Sequence, residues 1–232
     1  DPTGSQGWIF NLRREKFADP RIREALGLCF DFEWTNRNIM FSSFSRMTSY
    51  FENSDSKATG LPSPAELKLL EPFRGKVPEE VFGEPFLPPV SDGSGSDRAL
   101  LRRADEMFRA AGCKRDGNVL KLPNGQPFEI EFLDSQGALQ PHTQPFQANL
   151  KRLGISATSR IVDAAQYQRR LDEFDFDIIS RALGGSAIPS DSLRIVYGSE
   201  AARTRGSRNV GGVSHPAIDA MIEAIGQADS YA

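Results

Sequence analysis

Cysteine and histidine are almost absent from this sequence, with two of each in 232 residues. Cys29 and Cys113 lie far apart in no CxxC pattern, and with only His142 and His215 beside them a zinc site has almost no ligands to draw on. Two readings of the thiols stay open: a pair formed in an oxidising compartment, or, for Cys29 on the apolar side of a predicted helix, a small buried residue. No run of about 18 apolar residues exists, so nothing reads as a membrane-spanning helix. The opening DPTGSQGWIF lacks the basic start and apolar core of an export signal, so any such signal is already gone or was never present. A strong excess of charge of one sign is also lacking. A formal net charge of −3 and a pI near 5.6 argue against general nucleic-acid binding, which needs a basic surface, and Arg203, Arg205 and Arg208 read as a short solvated loop. Catalytic patterns are missing too. No GxSxG elbow occurs, and His142, placed before a helix, has no evident Ser or Cys companion. Asp175 and Asp177 share one strand face and read as solvent-facing alternation rather than an acid–base pair.

What is present is an ordinary globular composition, 39% hydrophobic and 25% charged, in a chain long enough for a substantial core. Trp8–Leu12 predicts a short strand. Asp19-Pro20 predicts a helix start, followed by Ile22, Ala25, Leu26, Cys29 and Phe30 on one face. Asp31 predicts the cap of a second helix carrying Trp34, Ile39 and Met40, whose large side chains read as core. From about 42 to 96 the sequence turns rich in Pro, Gly, Ser and acids. It reads as an ordered surface excursion pinned by Tyr50, Phe51, Phe73, Phe82 and Phe86, with a short helix at Ala65–Leu70 and a flexible Gly93-Ser94-Gly95 turn. Asp97 predicts the cap of a helix ended by Gly112. Val119–Leu122 and Phe128–Leu133 flank Asn124-Gly125 and predict a hairpin. A helix bearing Phe146, Leu150 and Leu153, a strand at Ile155–Ile161 and a helix capped by Asp163 lead into FDFDIISRALGG at 174–185. There a strand delivers its carboxyl end into glycines, the place where α/β proteins put ligands. A last helix begins near His215-Pro216.

The segments FADPRIREALGLCFDFEWTNR, ALLRRADEMFRAAG, QANLKRLGI, FDFDIISRALGG and SRNVGGVSHPAIDAMIEAI, in this order, resemble the second lobe of the extracytoplasmic solute-binding proteins of peptide ABC transporters, family 5. The excursion TSYFENSDSKATGLPSPAEL with LLEPFRGKVPEEVFG resembles the oligopeptide and microcin C uptake branch. The resemblance implies an α/β lobe of a two-lobed periplasmic-binding-protein-like fold of the cluster C type, with a mixed sheet and flanking helices. Residues 1–232 would form that single lobe, with Trp8 near one crossing to the first lobe and Gln227–Ala232 near the other. It implies periplasmic capture of peptides or peptide conjugates by hinge closure, delivery to the permease subunits, and no cofactor or metal. The implied ligand edge follows the strand that ends near Arg181. In peptide-binding relatives an aromatic and then an acid follow that strand; here Leu183, Gly184 and Gly185 stand at the aromatic's place, with no acid before Asp191. Arg181, Ser186, Ser190, Asp191 and Asn209 are the candidate polar contacts. Each has a structural alternative: Arg181 pairing with a surface acid, Asp191 capping a helix over 192–197, and Asn209 satisfying loop backbone. A protein-interaction module built on the excursion, and a peptide hydrolase, are the alternative functions.

Overall fold

The computed structural model describes residues 4–52, 54–184 and 191–227. The chain divides into two compact units, one formed by Trp8–Arg46 with Pro89–Arg181, the other by Asp1–Gly7, Met47–Pro88 and Ala182–Ala232. The excursion expected at 42–96 is thus shared between two units rather than laid over one.

A four-stranded sheet has the order β1–β6–β4–β5, with β1 at Gly4–Phe10, β4 at Glu129–Asp134, β5 at Ser156–Ile161 and β6 at Ile178–Gly184. β4 pairs in parallel with β5 and β6, the α/β arrangement expected. Helices α1 (Pro20–Leu28), α2 (Phe32–Asn38), α4 (Arg98–Ala110), α5 (Gln140–Arg152) and α6 (Ala164–Asp172) flank it. Their starts follow from local chemistry. Asp19, Asp31, Asp97 and Asp163 each accept a backbone N–H of the first turn, satisfying donors a helix leaves unpaired. α1 and α4 pack together, and Phe17, Leu26, Phe108, Phe128, Phe146, Leu150, Ile155 and Ile178 are fully enclosed between helices and sheet.

Three helices end alike. In α4, α5 and α6 the amide two residues past the cap reaches back to the third-last carbonyl: Cys113 N to Phe108 O at 2.9 Å, Ile155 N to Leu150 O at 3.1 Å and Asp175 N to Arg170 O at 2.8 Å. The residue preceding that amide is left-handed in each case, and it is glycine twice but Phe174 at φ 54° in the third. This corrects the expected strand at 174. The FDFD alternation is first consumed by a helix cap, and the strand begins only at Ile178.

The expected 119–133 hairpin also changes. β3 (Val119–Lys121) pairs antiparallel with β2 (Lys114–Asp116) around Gly117, and meets the next segment only through Leu122 N to Gln126 O and Phe128 N to Leu120 O, both 2.8 Å. β4 then turns away to its parallel partners. The Gly93-Ser94-Gly95 turn, expected to be flexible, is braced. The buried Asp31 carboxylate accepts from Trp34 N at 2.9 Å, Gly95 N at 2.8 Å and Ser91 Oγ, while Asn149 donates to Gly95 O at 3.0 Å.

The second unit contains α3 (Pro64–Leu70), α7 (Arg194–Tyr197), α8 (Ser199–Arg203) and α9 (Pro216–Gly226). Ser63 and Glu66 form a reciprocal capping box at α3. His215 caps α9, accepting from Ala217 N through Nδ1 at 3.1 Å while Nε2 lies 3.0 Å from Lys76 O. Of the expected pins, Tyr50 meets Tyr197 edge-on at 5.8 Å and Phe82 lies under Arg74 at 3.8 Å, while Phe86 is largely exposed. Order at the start of this excursion comes from Glu52 instead. Its carboxylate pairs with Lys57 and accepts from Thr48 N at 2.8 Å and Ser49 N at 3.1 Å. The Lys57 bond and then the Thr48 amide hold it down at about 2. A depressed carboxylate stabilises above its ordinary value of 4.5 and loses that contribution as pH falls through about 2. Hydrogen exchange at the Thr48 and Ser49 amides should therefore quicken, relative to other amides, as pH drops across that window. Glu52→Gln should abolish this dependence; if it persists in the variant, the carboxylate is not its source.

Candidate functional site

β4 lies between β5, reached through α5, and β6, reached through α6, so the strand order reverses at β4. Such a reversal parts the connecting loops and leaves a crevice outside the strands' carboxyl ends. The crevice is there, lined by Trp8, Asp134, Gln140, Thr143, Ser159, Tyr167 and Ser180 among others. Its volume is about 20 Å³, room for one water rather than a ligand. Trp8 forms one wall, edge-on to Phe132 at 5.5 Å. Ser159 is tied to α5 by Gln147 Nε2 at 3.0 Å. Asp134 closes β4 by accepting from Ser135 N at 2.7 Å and Gln136 N at 3.2 Å. The Tyr167 phenol is pushed up in pKa, chiefly by burial; the Arg181 guanidinium pulls it down and Asp134 pushes it up. Arg181, near the end of β6, is half-buried and forms no ion pair with any described residue, so its charge stands available at this edge.

The other expected contacts are placed differently. Gly185, Ser186 and Ser190 lie outside the described residues, as do residues 228–232 at the expected second crossing. Leu183 and Gly184 belong to the backbone of β6, and Asp191 opens a single 3-10 turn, Asp191–Leu193. Asn209 is in the other unit, buried, donating to Gly198 O at 3.0 Å and Val213 O at 2.8 Å and accepting from Gly212 N and Val213 N at 3.0 and 2.9 Å. Its side chain holds a loop together, the structural alternative.

Asp175 faces solvent as expected, its side chain 54% exposed, but Asp177 does not. Asp175 is bound by Arg14 at 2.8 Å and Arg170 at 3.1 Å. Asp177 is only 14% exposed, binds Lys16 at 2.7 Å and accepts from Glu131 N at 3.0 Å. Lys16 and the Glu131 amide, both from distant segments, turn Asp177 inward, while Asp175 stays exposed at the surface. His142 lies inside α5 rather than before it. Its Nδ1 is buried without a partner among the described residues, and burial lowers its pKa. Both cysteines are free buried thiols whose pKa burial raises, the small-buried-residue reading. Among the described residues no helix is long and apolar enough to cross a membrane. Sequence reasoning missed Trp8 as a site wall, and it missed Ser159, Tyr167 and Ser180. Their one signal was position, at strand ends or in the helix before β6.

A model of bacterial extracellular solute-binding proteins, family 5 Middle, matches residues 1–204. A putative binding protein of Brucella melitensis is 42% identical over 226 residues, which is 97% of this chain and 37% of that protein. A probable peptide-binding protein, YejA, of Agrobacterium fabrum is 38% identical over 221 residues, 95% of this chain and 36% of that protein. The chain thus spans little more than a third of the length of these relatives. Among solved structures, the oligopeptide-binding protein AppA of Bacillus subtilis, in complex with a nonapeptide, superposes with a TM-score of 0.68 at 18% identity, covering 98% of this chain and 40% of that one. That likeness shows the fold, the α/β architecture of the periplasmic binding proteins. The match over residues 1–204, together with the sequence relatives, makes the chain a member of the bacterial extracellular solute-binding proteins, family 5.

Proposed function

We propose that this chain is the second lobe of a solute-binding component of an ABC importer, one wall of a clamp that captures short peptides or peptide conjugates in the periplasm and hands them to the permease. The family is one of extracytoplasmic binding proteins rather than enzymes, and a relative 38% identical is named a probable peptide-binding protein. The observation that carries the reading is the crevice at the reversal of strand order. It sits where an α/β sheet receives ligand, and beside it lies Arg181, a cation that pairs with no acid among the described residues. Its volume, near 20 Å³, is too small to enclose a peptide, as expected of a wall that needs its opposite. Arg181 suits an anionic group of the ligand, since a half-buried guanidinium with no ion pair among the described residues gains a charge-assisted bond on binding. Binding to the full-length protein shifts its stability by mass action, about 2.7 kcal/mol at 100 times Kd. The full-length protein should therefore melt at a higher temperature with short peptides. No rise across a varied peptide set and peptide–nucleotide conjugates would contradict the reading, and peptide cleavage by the pure protein would replace it with hydrolysis.

A further inference from the structure

The crevice at the carboxyl edge carries one charge. Asp134 is the only charged residue among the described ones that line it, and no Lys, Arg or His is there. Strand register explains its place. Phe132 pairs with Ser159 of β5 and Ile178 of β6, so the pleat brings Asp134, two residues on, out on the same face as Ser159 and Ser180. Arg181, the next residue of β6, leaves by the other face. Asp134 is half-buried, and its bonds use one oxygen: Ser135 N and Gln136 N both donate to Oδ1, at 2.7 and 3.2 Å, while Oδ2 has no partner among the described residues. Further acceptors surround it. The Tyr167 hydroxyl bonds to no described residue. Ser159 Oγ takes one bond from Gln147 Nε2 at 3.0 Å and keeps a lone pair. The donors, by contrast, are spent. Gln140 and Thr143, in the first turn of α5, line the crevice, and an anion there would need that turn's N–H groups. Gln140 N already bonds Gly137 O at 3.1 Å, His142 N and Thr143 N bond Leu139 O at 3.0 and 2.9 Å, and Pro141 has no N–H.

We propose that the crevice is a subsite for a primary ammonium group of the peptide ligand, held by Asp134 through Oδ2 with the hydroxyls of Tyr167 and Ser159 as further acceptors. Size favours it. An ammonium head is about as large as a water molecule, and a crevice near 20 Å³ has room for one such group and no more. Charge favours it too. A carboxylate with one oxygen free in a half-enclosed pocket gains a charge-assisted bond from an ammonium, whereas a carboxylate or phosphate of the ligand would meet acceptors and a like charge. Asp134 and Arg181 act on the Tyr167 phenol in opposite senses, so both poles stand close to one ring. A ligand carrying an ammonium and an anionic group is thereby held in one orientation, its amine in the crevice. The inference rests on the reading of the protein as a peptide binder and adds to it the group that enters the crevice.

The test titrates the full-length protein, wild type and Asp134→Asn, with three probes: tetraalanine, N-acetyl-tetraalanine and N-acetyl-Ala-Lys-Ala-Ala. Asparagine keeps Oδ1 for the Ser135 and Gln136 amides, so the variant should melt with the wild type in the absence of peptide. The wild type is expected to bind at least one ammonium-bearing probe about tenfold or more tighter than N-acetyl-tetraalanine. Preference for the free amine identifies the amino terminus as the group held, and preference for the lysine probe identifies a side chain. Asp134→Asn should bring the ratio to within about twofold of unity. Tyr167→Phe removes a hydroxyl the fold does not use, should narrow the same ratio, and decides the matter if Asp134→Asn does not fold: an unchanged ratio there overturns the inference. A wild type indifferent to acetylation and to lysine, a preference that outlives Asp134→Asn, or an equal loss for all three probes would also overturn it and leave the peptide reading standing. If the wild type binds none of the three, the inference falls; if the varied peptide set also leaves its melting unchanged, the peptide reading falls with it.

Discussion

Replacing Gly154 with alanine should destabilise the protein by at least about 3 kcal/mol, at the upper end of what single substitutions do. Two penalties act together. Gly154 follows α5 in the left-handed conformation at φ 82°, which costs an L-residue about 1–2 kcal/mol. In addition, a Cβ here would stand 2.7 Å from Asn118 O and 2.8 Å from Leu120 N, both backbone atoms of the β2–β3 hairpin. Neither can yield cheaply, because Leu120 N already donates to Gly154 O at 2.8 Å and Leu120 is enclosed in the core. Gly112 supplies the internal control. It occupies the same position after α4 at φ 90°, but a Cβ there meets only the Pro123 ring, at 3.5 Å, an ordinary contact. Gly112→Ala should therefore show the conformational penalty alone. Urea unfolding of the two variants reads the difference, expected at about 2 kcal/mol or more. Equal costs would mean that the hairpin does not press on α5 as described.

The second large effect is expected at Asn11. Its side chain is fully buried and donates to Phe174 O at 2.8 Å and Phe176 O at 2.9 Å, while Oδ1 accepts from Arg13 N at 3.2 Å. The residue thereby fixes the turn in which Phe174 adopts a left-handed conformation under the Arg13 guanidinium, 3.5 Å from the ring centre. Asn11→Ala strands Phe174 O, leaves Phe176 O with only the 3.3 Å bond from Arg14 Nε and removes the acceptor of Arg13 N, and each buried group left unsatisfied costs about 1–3 kcal/mol. A loss of about 3 kcal/mol is expected on that basis. Asn11→Asp keeps the shape but sets an acceptor against two acceptors, and it should be at least as damaging. An alanine variant within about 1 kcal/mol of wild type would show that the turn is held by something else.

These two residues also mark what the sequence could and could not reveal. The helices were legible because their signals are local: Asp19-Pro20, Asp31, Asp97 and Asp163 all cap as their neighbours suggest. Gly112 and Gly154 end helices for an equally local reason. Phe174 ends one in the same geometry without glycine, and that misplaced the start of β6; the bonds that hold it come from Asn11, 163 residues away. Asp31 shows both sides. Its cap was visible, whereas its bonds to Ser91 and Gly95 depend on a loop about 60 residues further on. β2 escaped notice because Lys114, Arg115 and Asp116 are all exposed and carry no alternation. Of the candidate site, the carboxyl edge and Arg181 could be read from a strand running into glycines. Trp8, Ser159, Tyr167 and Ser180 could not, since only the order of strands brings them together. Asn209 has the residue type of a ligand contact and the surroundings of a loop brace, a distinction that lies in its bonds to the backbone of Gly198, Gly212 and Val213.

The central claim, that this chain supplies one wall of a peptide site at the carboxyl edge of its sheet, is tested most directly by the melting temperature of the full-length protein with and without short peptides, in wild type and in Arg181→Ala. The account predicts a peptide-dependent rise in the wild type that shrinks in the variant, while the two proteins melt alike without peptide. A wild type indifferent to every peptide, or a rise that Arg181→Ala leaves untouched, would contradict it.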